Sequence, residues 1–398
     1  MSGDKTMNRA VHGRVCVWLV ASGLGIAAGA AQGAGFALIE QGVAELGNAF
    51  AGAGAVAESP STVFFNPAGI SRVGSTLALG FHVISPKAEF TSATGASGPD
   101  AGETKVVPNF YYTRLLNDQW SFGLGLTSPF GLSTSYDQSW AGRLQAVDSS
   151  LETVSLNPSL SYRVNEWVSV GAGVSAQYVK GELTTLVTKL KGDDTGYGYN
   201  LGVLIQPQED TRIGLAYRSK VEHTLEGTLD VYYPTNRHMD VTLDVALPDT
   251  LSLSLYHRFE PRWAVLADVT WTNWSLFNKL ETKLAANGMS VNTQPENWKD
   301  SLRYSLGLTY YLDSAWTLRG GVAYDNSPIP DATFRTPRIP DADRRWLALG
   351  AGYKFSNSLS VDAGYAHLFV NETPIVTPAG HYDSSINIFS AQVTYRFP

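Results

Sequence analysis

The chain has 398 residues, of which 16% are charged and 11% aromatic, and its net charge is −7. A mildly acidic balance without a basic tract excludes nucleic acid as an expected partner. One cysteine, Cys16, excludes a disulfide framework.

Residues 1–33 carry Lys5, Arg9 and Arg14, then an apolar run from Val15 to Ala30, then Ala31-Gln32-Gly33. Basic, apolar and small segments in that order make a secretory signal peptide. The run is too short to cross a bilayer as a helix, and no later stretch approaches ~20 apolar residues. Cys16 precedes the apolar run instead of following it, which does not suit a lipoprotein, and cleavage would leave a mature chain without thiols.

Residues 34–74 are rich in Gly and Ala and do not alternate as a strand does. Phe36, Leu38, Ile39, Leu46, Phe50, Phe64 and Phe65 would be costly to leave in water. This segment is expected to fold as a small hatch inside whatever residues 75–398 build.

From Ser75 onward fourteen strand-like segments follow: 75–86, 104–116, 119–128, 150–164, 166–182, 196–206, 211–222, 247–259, 262–280, 297–312, 315–327, 344–356, 358–370 and 385–397. Joints after even-numbered segments are tight, such as Asn117-Asp118, Asn165, Glu260-Pro261 and Asp313-Ser314. Those after most odd-numbered segments are long and polar: 87–103, 129–149, 223–246, 281–296, 328–343 and 371–384. An even number of antiparallel strands, with short periplasmic turns and longer outside loops, is the pattern of an outer-membrane β-barrel. The expected fold is therefore all-β: a 14-stranded antiparallel transmembrane barrel (75–398) around an N-terminal hatch (34–74).

Period-two alternation supplies the wall. Leu302, Tyr304, Leu306, Leu308, Tyr310 and Leu312 oppose Ser301, Arg303, Ser305, Gly307 and Thr309, and 119–127 and 386–397 repeat the pattern. Trp120, Trp167, Trp263 and Trp316 each stand one to three residues after a short turn, the placement of an interfacial aromatic girdle. Arg212, Arg218, Asp268, Arg303, Arg319, Asp362 and Arg396 fall on the lumen parity. They suit either a ladder of internal ion pairs or, at Arg303 and Arg319, contacts to an acidic solute head group.

Ala34-Gly35-Phe36, Gly47-Asn48-Ala49-Phe50-Ala51-Gly52 and Asn66-Pro67-Ala68 together resemble the hatch of the FadL/TodX outer-membrane transporters of long-chain fatty acids and other hydrophobic compounds. The resemblance continues in order through Ser128-Pro129-Phe130-Gly131-Leu132, Trp271-Thr272-Asn273-Trp274-Ser275, 320–328 and 339–344. It implies passive uptake: loops capture a hydrophobic solute, a lumen pocket holds it, and the hatch around Asn66, Pro67 and Ala68 shifts. Release is then lateral, through a wall gap where the third strand kinks at Ser128, Pro129, Phe130 and Gly131. Pro129 offers no ladder N–H and Gly131 no wall-filling side chain, although these residues also suit a strand that simply enters its loop.

The implied partners are a hydrophobic small molecule, outer-membrane lipid and lipopolysaccharide, and the barrel assembly machinery during biogenesis. Two features depart from the family pattern. The connection 183–196 is short where fatty-acid transporters have a long, partly helical loop, and Pro398 follows the terminal aromatic that usually signals assembly. A porin for polar solutes is the alternative transporter, but it would lack a hatch. An outer-membrane hydrolase would need Ser, His and a carboxylate or amide to converge. No histidine lies in a nucleophile motif, and His223, His238 and His381 fall in connections where solvated side chains are expected. No catalytic residue, metal site or cofactor is expected.

Overall fold

The computed structural model describes residues 34–398; the expected signal peptide and Cys16 lie outside them. Among the described residues fourteen wall strands form one closed antiparallel ring. We number them β1 (Thr76–Ser92), β2 (Lys105–Leu115), β3 (Trp120–Thr127), β4 (Asp148–Arg163), β5 (Val168–Thr184), β6 (Thr188–Gln208) and β7 (Thr211–Arg218). The series continues with β8 (Thr250–Glu260), β9 (Trp263–Thr272), β10 (Ser301–Tyr311), β11 (Trp316–Asp325), β12 (Arg344–Lys354), β13 (Leu359–Val370) and β14 (Gly380–Arg396). Each pairs with the next, and β1 closes on β14 from Thr76↔Arg396 to Ser92↔Gly380.

Alternation orients the wall as expected, but with the polarity of a membrane protein. Leu302, Leu306, Phe389 and Val393 are exposed on the outside, while Ser301, Arg303, Ser305, Ser390 and Gln392 are buried inside. Lipid removes the usual penalty for outward leucine, so the polar residues take the interior. Three tight turns share one construction. Asn117 Oδ1 accepts the Trp120 N–H (2.8 Å), Asn165 Oδ1 the Trp167 and Val168 N–H groups (2.8 and 2.9 Å), and Asp313 Oδ1 the Trp316 N–H (2.7 Å). An Asx turn thereby stands two or three residues before a tryptophan each time. Trp120, Trp263 and Trp316 pack on Tyr162, Tyr310 and Tyr353 of neighbouring strands at 4.7, 4.3 and 4.7 Å between centroids.

The long-loop end differs from expectation in how far strand pairing extends. β5 and β6 stay paired beyond the expected ends, Thr184 facing Lys189, so the connection 183–196 is a protruding hairpin tip and not a loop. Segments Val221–Val231 and Arg237–Leu247 pair along their whole length across the connection 223–246, and Lys279–Leu284 pairs with Ser290–Pro295 across 281–296. These extensions reach beyond the band that faces lipid, and their apolar side chains, such as Leu225, Leu243, Val245 and Leu247, alternate toward the lumen instead, so no outward apolar face marks them as strands. The same extensions correct the histidines: His223, His238 and His381 all lie on strands. His223 is buried between Asp194 (3.0 Å) and Gln177 (3.1 Å).

Residues 34–75 fill the lumen with four one-turn helices, α1 (Val43–Leu46), α2 (Ala53–Val56), α3 (Thr62–Phe65) and α4 (Ile70–Val73), plus a 3-10 turn at Pro67–Gly69. They touch β1 to β8 together with β12, β13 and β14. One short segment can reach strands all round a ring only from within it. Leu46, Ala49, Phe50, Val63 and Ile70 are fully buried there. Wall glycines let the plug backbone lie directly on the sheet: a Cβ at Gly321 would fall 2.2 Å from Asn48, and one at Gly214 would fall 2.0 Å from the Gly54 carbonyl.

Candidate solute pathway

The first residues of the plug enter a box of aromatic rings. Phe36 lies 4.7 Å from Trp274, 5.3 Å from Phe277, 5.7 Å from Trp298 and 6.2 Å from Phe130, centroid to centroid, mostly edge to face. Such packing adds about 0.5–1.5 kcal/mol per pair beyond burial. The box is built by the hairpin 279–295, which carries Phe277 at one foot and Trp298 at the other and folds both inward. Gly35, at φ +67, threads between Trp298 and Trp274, where a Cβ would stand 2.6 Å from one indole and 2.9 Å from the other. Only glycine satisfies both the backbone conformation and that space.

Above the box the lumen is aliphatic: Val179, Leu225, Leu243, Val245, Leu247, Ile329 and Ile339 are buried. Leu151, Leu190, Leu280 and Phe334 are half-buried against them at the long-loop end. Glu296 lies buried beside the box and accepts the Trp298 Nε1–H at 3.2 Å. Burial pushes its carboxyl up to about 8, against the pull of Arg338. The chain start is held by acids: Asp325 accepts the Ala34 N–H at 3.3 Å and Asp341, paired with Arg344, accepts the Gly35 N–H at 3.0 Å.

The next residues, 36–41, run beside the break in β3. The β2–β3 ladder stops at Phe110↔Leu126, leaving Lys105 to Asn109 partnered on β1 alone. On the other side the β3–β4 ladder stops at Thr127↔Ser155 and resumes at Gly131↔Glu152. Across Ser128, Pro129 and Phe130 the plug supplies the missing partner. The Leu38 N–H donates to the Pro129 carbonyl (2.8 Å) and the Gly131 N–H to the Phe36 carbonyl (3.0 Å). Thr153 Oγ1 both accepts from the Phe130 N–H (3.0 Å) and donates to its carbonyl (2.6 Å). The backbone demand of a kinked strand is thus met, but from inside the barrel.

Asn66, Pro67 and Ala68 sit against β4, β5 and β6, on the side of the ring next to the break. Asn66 Nδ2 donates to the Gly54 carbonyl (2.7 Å) and the Val203 carbonyl of β6 (3.0 Å), and its Oδ1 accepts the Ala68 N–H (3.0 Å). Pro67 and Ala68 lie on Gly171, and Asn66 and Pro67 on Gly202. A Cβ at either glycine would come within 2.4 Å of the plug.

The two candidate head-group arginines have protein partners. Arg303 donates to the Ala49 carbonyl (2.7 Å) and lies over the ring of Trp346 (5.0 Å), while Arg319 is paired with Asp362 (2.8 Å). Arg212 and Arg218 likewise grip plug carbonyls at Val56 and Phe64. Below the plug, at the short-turn end, lies a polar chamber of about 780 Å³ lined by Glu58, Arg72, Arg212, Arg258, Arg319 and Asp362.

Sequence reasoning did not find Phe36 with Trp274, Phe277 and Trp298, nor Gln41, whose amide meets Ser128. The available signal was an aromatic directly after the small-residue start, together with aromatics flanking the connection 281–296.

A strand-crossed barrel, an inward plug and an apolar funnel at one end define an outer-membrane transport protein. The profile of the outer membrane protein transport protein family (OMPP1/FadL/TodX) matches residues 24–397, and the chain belongs to this family. It is 31% identical to the long-chain fatty acid transport protein of Escherichia coli K12 over 406 residues, covering 86% of this chain and 91% of that protein. It is 32% identical to outer membrane protein P1 of Haemophilus influenzae Rd over 413 residues, covering 88% and 89%. A FadL homologue of Pseudomonas aeruginosa superposes with a TM-score of 0.84 at 28% identity, over 92% of this chain and all of that one. The toluene transporter TodX of P. putida shares the fold at a TM-score of 0.69 and 19% identity, over 85% and 94%.

Proposed function

We propose that this protein admits hydrophobic solutes, fatty acids or aromatic hydrocarbons, through the aliphatic funnel into the box now filled by Phe36, and releases them sideways through the break at Ser128, Pro129, Phe130 and Gly131. One observation carries the reading: a single stretch, 36–41, both fills the box and completes the broken strand. A solute that displaces Phe36 pulls on the same backbone that closes the wall. Hatch movement around Asn66, Pro67 and Ala68 accompanies the shift.

The alternatives are less well supported. An apolar solute gains nothing from the polar chamber below the plug, which favours lateral over axial exit. The names of two relatives, a long-chain fatty acid transporter and a toluene transporter, bracket the solute class. The hairpin tip at 183–196 and the ring-sized box favour the smaller, aromatic end of it. An open porin is disfavoured by a lumen packed with plug side chains, and a large steady conductance in a planar bilayer would restore it. Transport requires no bond-making step, so the protein is read as a channel and not an enzyme.

The test is the variant Pro129→Val with Gly131→Val, which restores a ladder donor and fills the wall. The end of Leu38, 3.0 Å from a Cβ at Gly131, has to turn aside. Solute binding should survive and most uptake should be lost. Full uptake, with exchange protection proving the wall closed, would instead favour an axial path.

A further inference from the structure

The two indoles of the box are treated differently. Trp298 Nε1 donates to Glu296, whereas Trp274 Nε1 is buried and has no hydrogen-bond partner. The nearby carboxylates are engaged elsewhere: Asp300 accepts from Trp271 Nε1 (3.2 Å) and the Ser275 N–H (3.0 Å). The indole edge of Trp274 is covered by Gly35. A Cβ on that glycine would lie 3.1 Å from Cε2, the carbon bonded to Nε1. The plug therefore hides this N–H from water without giving it an acceptor, and withdrawing Ala34 to Phe36 would bare it on the wall of the box.

A buried donor without a partner is unfavourable, and native structures rarely keep one without a reason. A site that holds such a donor discriminates strongly between ligands that can and cannot satisfy it. The phenyl ring of Phe36 sets the size of the space, a single six-membered ring between three aromatic walls. Burial among aromatic rings disfavours an anion as the acceptor, since a carboxylate would lose its hydration without gaining an opposite charge.

We propose that Trp274 is a specificity-determining residue: the box takes one aromatic ring bearing a neutral acceptor oxygen, as in an aryl ketone, aldehyde, ester or ether, and Trp274 Nε1 donates to that oxygen. This rests on the reading of the box as the solute site and narrows its solute class. A plain hydrocarbon fills the same space but leaves the N–H unpaired. A fatty-acid carboxylate does not settle there.

The experiment compares acetophenone with ethylbenzene, which are alike in ring and chain, by calorimetry on the purified full-length barrel in detergent. Binding to the natural protein is set against a variant with benzothienylalanine at position 274, in which sulfur replaces the N–H at nearly unchanged shape. The inference expects acetophenone affinity to fall about tenfold in the variant and ethylbenzene affinity to hold, which also shows that the box is intact. Equal losses for both solutes, or no change for either, would overturn it while leaving the box a solute site. If the natural protein binds neither, the inference falls, and binding of oleate and its loss on replacing Phe36 by a larger side chain then decide separately whether the box is a solute site.

Discussion

Gln41 holds both backbone groups of Ser128: its Nε2 donates to the Ser128 carbonyl at 2.8 Å, and its Oε1 accepts the Ser128 N–H at 3.3 Å. A plug side chain thereby stands in for the neighbouring strand where the β2–β3 ladder has ended. Tyr111 of β2 donates to the Gln41 carbonyl at 2.6 Å, so the same residue is tied to both sides of the break.

Replacing Gln41 by leucine keeps the bulk and loses its side-chain bonds to Ser128 and to the Leu38 carbonyl. Leaving the Ser128 groups buried and unpaired weakens plug docking by about 1–3 kcal/mol. Residues 36–41 and 128–131 should then exchange amide hydrogens at least several-fold faster, while the rest of β3 and β4 is unchanged. Equal protection in the variant would show that Gln41 does not hold the break.

Deleting Asn66, Pro67 and Ala68 removes the contacts to Val203, Gly171 and Gly202 but no wall strand. The barrel should still assemble and remain heat-modifiable on gels, with solute uptake largely lost. A milder form is Gly171→Ala, whose added methyl would meet the Ala68 nitrogen at 2.4 Å and must push the plug away. An unfolded deletion variant would instead make this motif part of the barrel's own stability.

Glu40 gives plug docking a pH dependence. It is fully buried, and desolvation raises it from 4.5 to about 7; its own backbone N–H, then Arg303 and Arg344, oppose the shift, and Asp325 adds to it. The docked plug thus keeps a proton that the undocked chain gives up near pH 4.5. Docking is strongest below that pH, weakens as pH rises to about 7, and is flat above. The span is on the order of 3 kcal/mol. Exchange protection of 36–41, corrected for intrinsic rates, should be higher at pH 5.5 than at pH 8, and Glu40→Gln should shrink the difference, leaving the part that Asp325 and Glu45 contribute. A rise in protection with pH would contradict the assignment.

Orientation follows from loop length. Cysteines placed at Asn236 and Asp331 should react with a membrane-impermeant reagent on intact cells, and one at Asp313 should not. Labelling at position 313 alone would invert the barrel.

Much of this architecture is legible residue by residue. The parity of 301–312, the Asx turns at Asn117, Asn165 and Asp313, and the tryptophans behind them are local. Each depends only on the two-residue period of a strand and on which face meets lipid, so spacing along the chain is enough to reveal it. Extracellular pairing was harder to read, because Lys189 to Asp194 and His223 to Asp230 lie beyond the bilayer, where no lipid demands an outward apolar face and the alternating apolar side chains at Leu225, Leu243 and Leu247 point into the lumen. What only the tertiary structure decided is which distant residues share the lumen. Phe36 meets Trp274 and Trp298 more than 230 residues away, and Gln41 meets Ser128 across 87. Arg303, read from parity as part of an internal ladder or as a contact to a solute head group, is engaged by the Ala49 carbonyl of the plug. Ring closure brings these groups together: once β1 pairs with β14, every inward side chain faces the same enclosed segment, and its partner is chosen by height and angle around the ring and not by position in the chain.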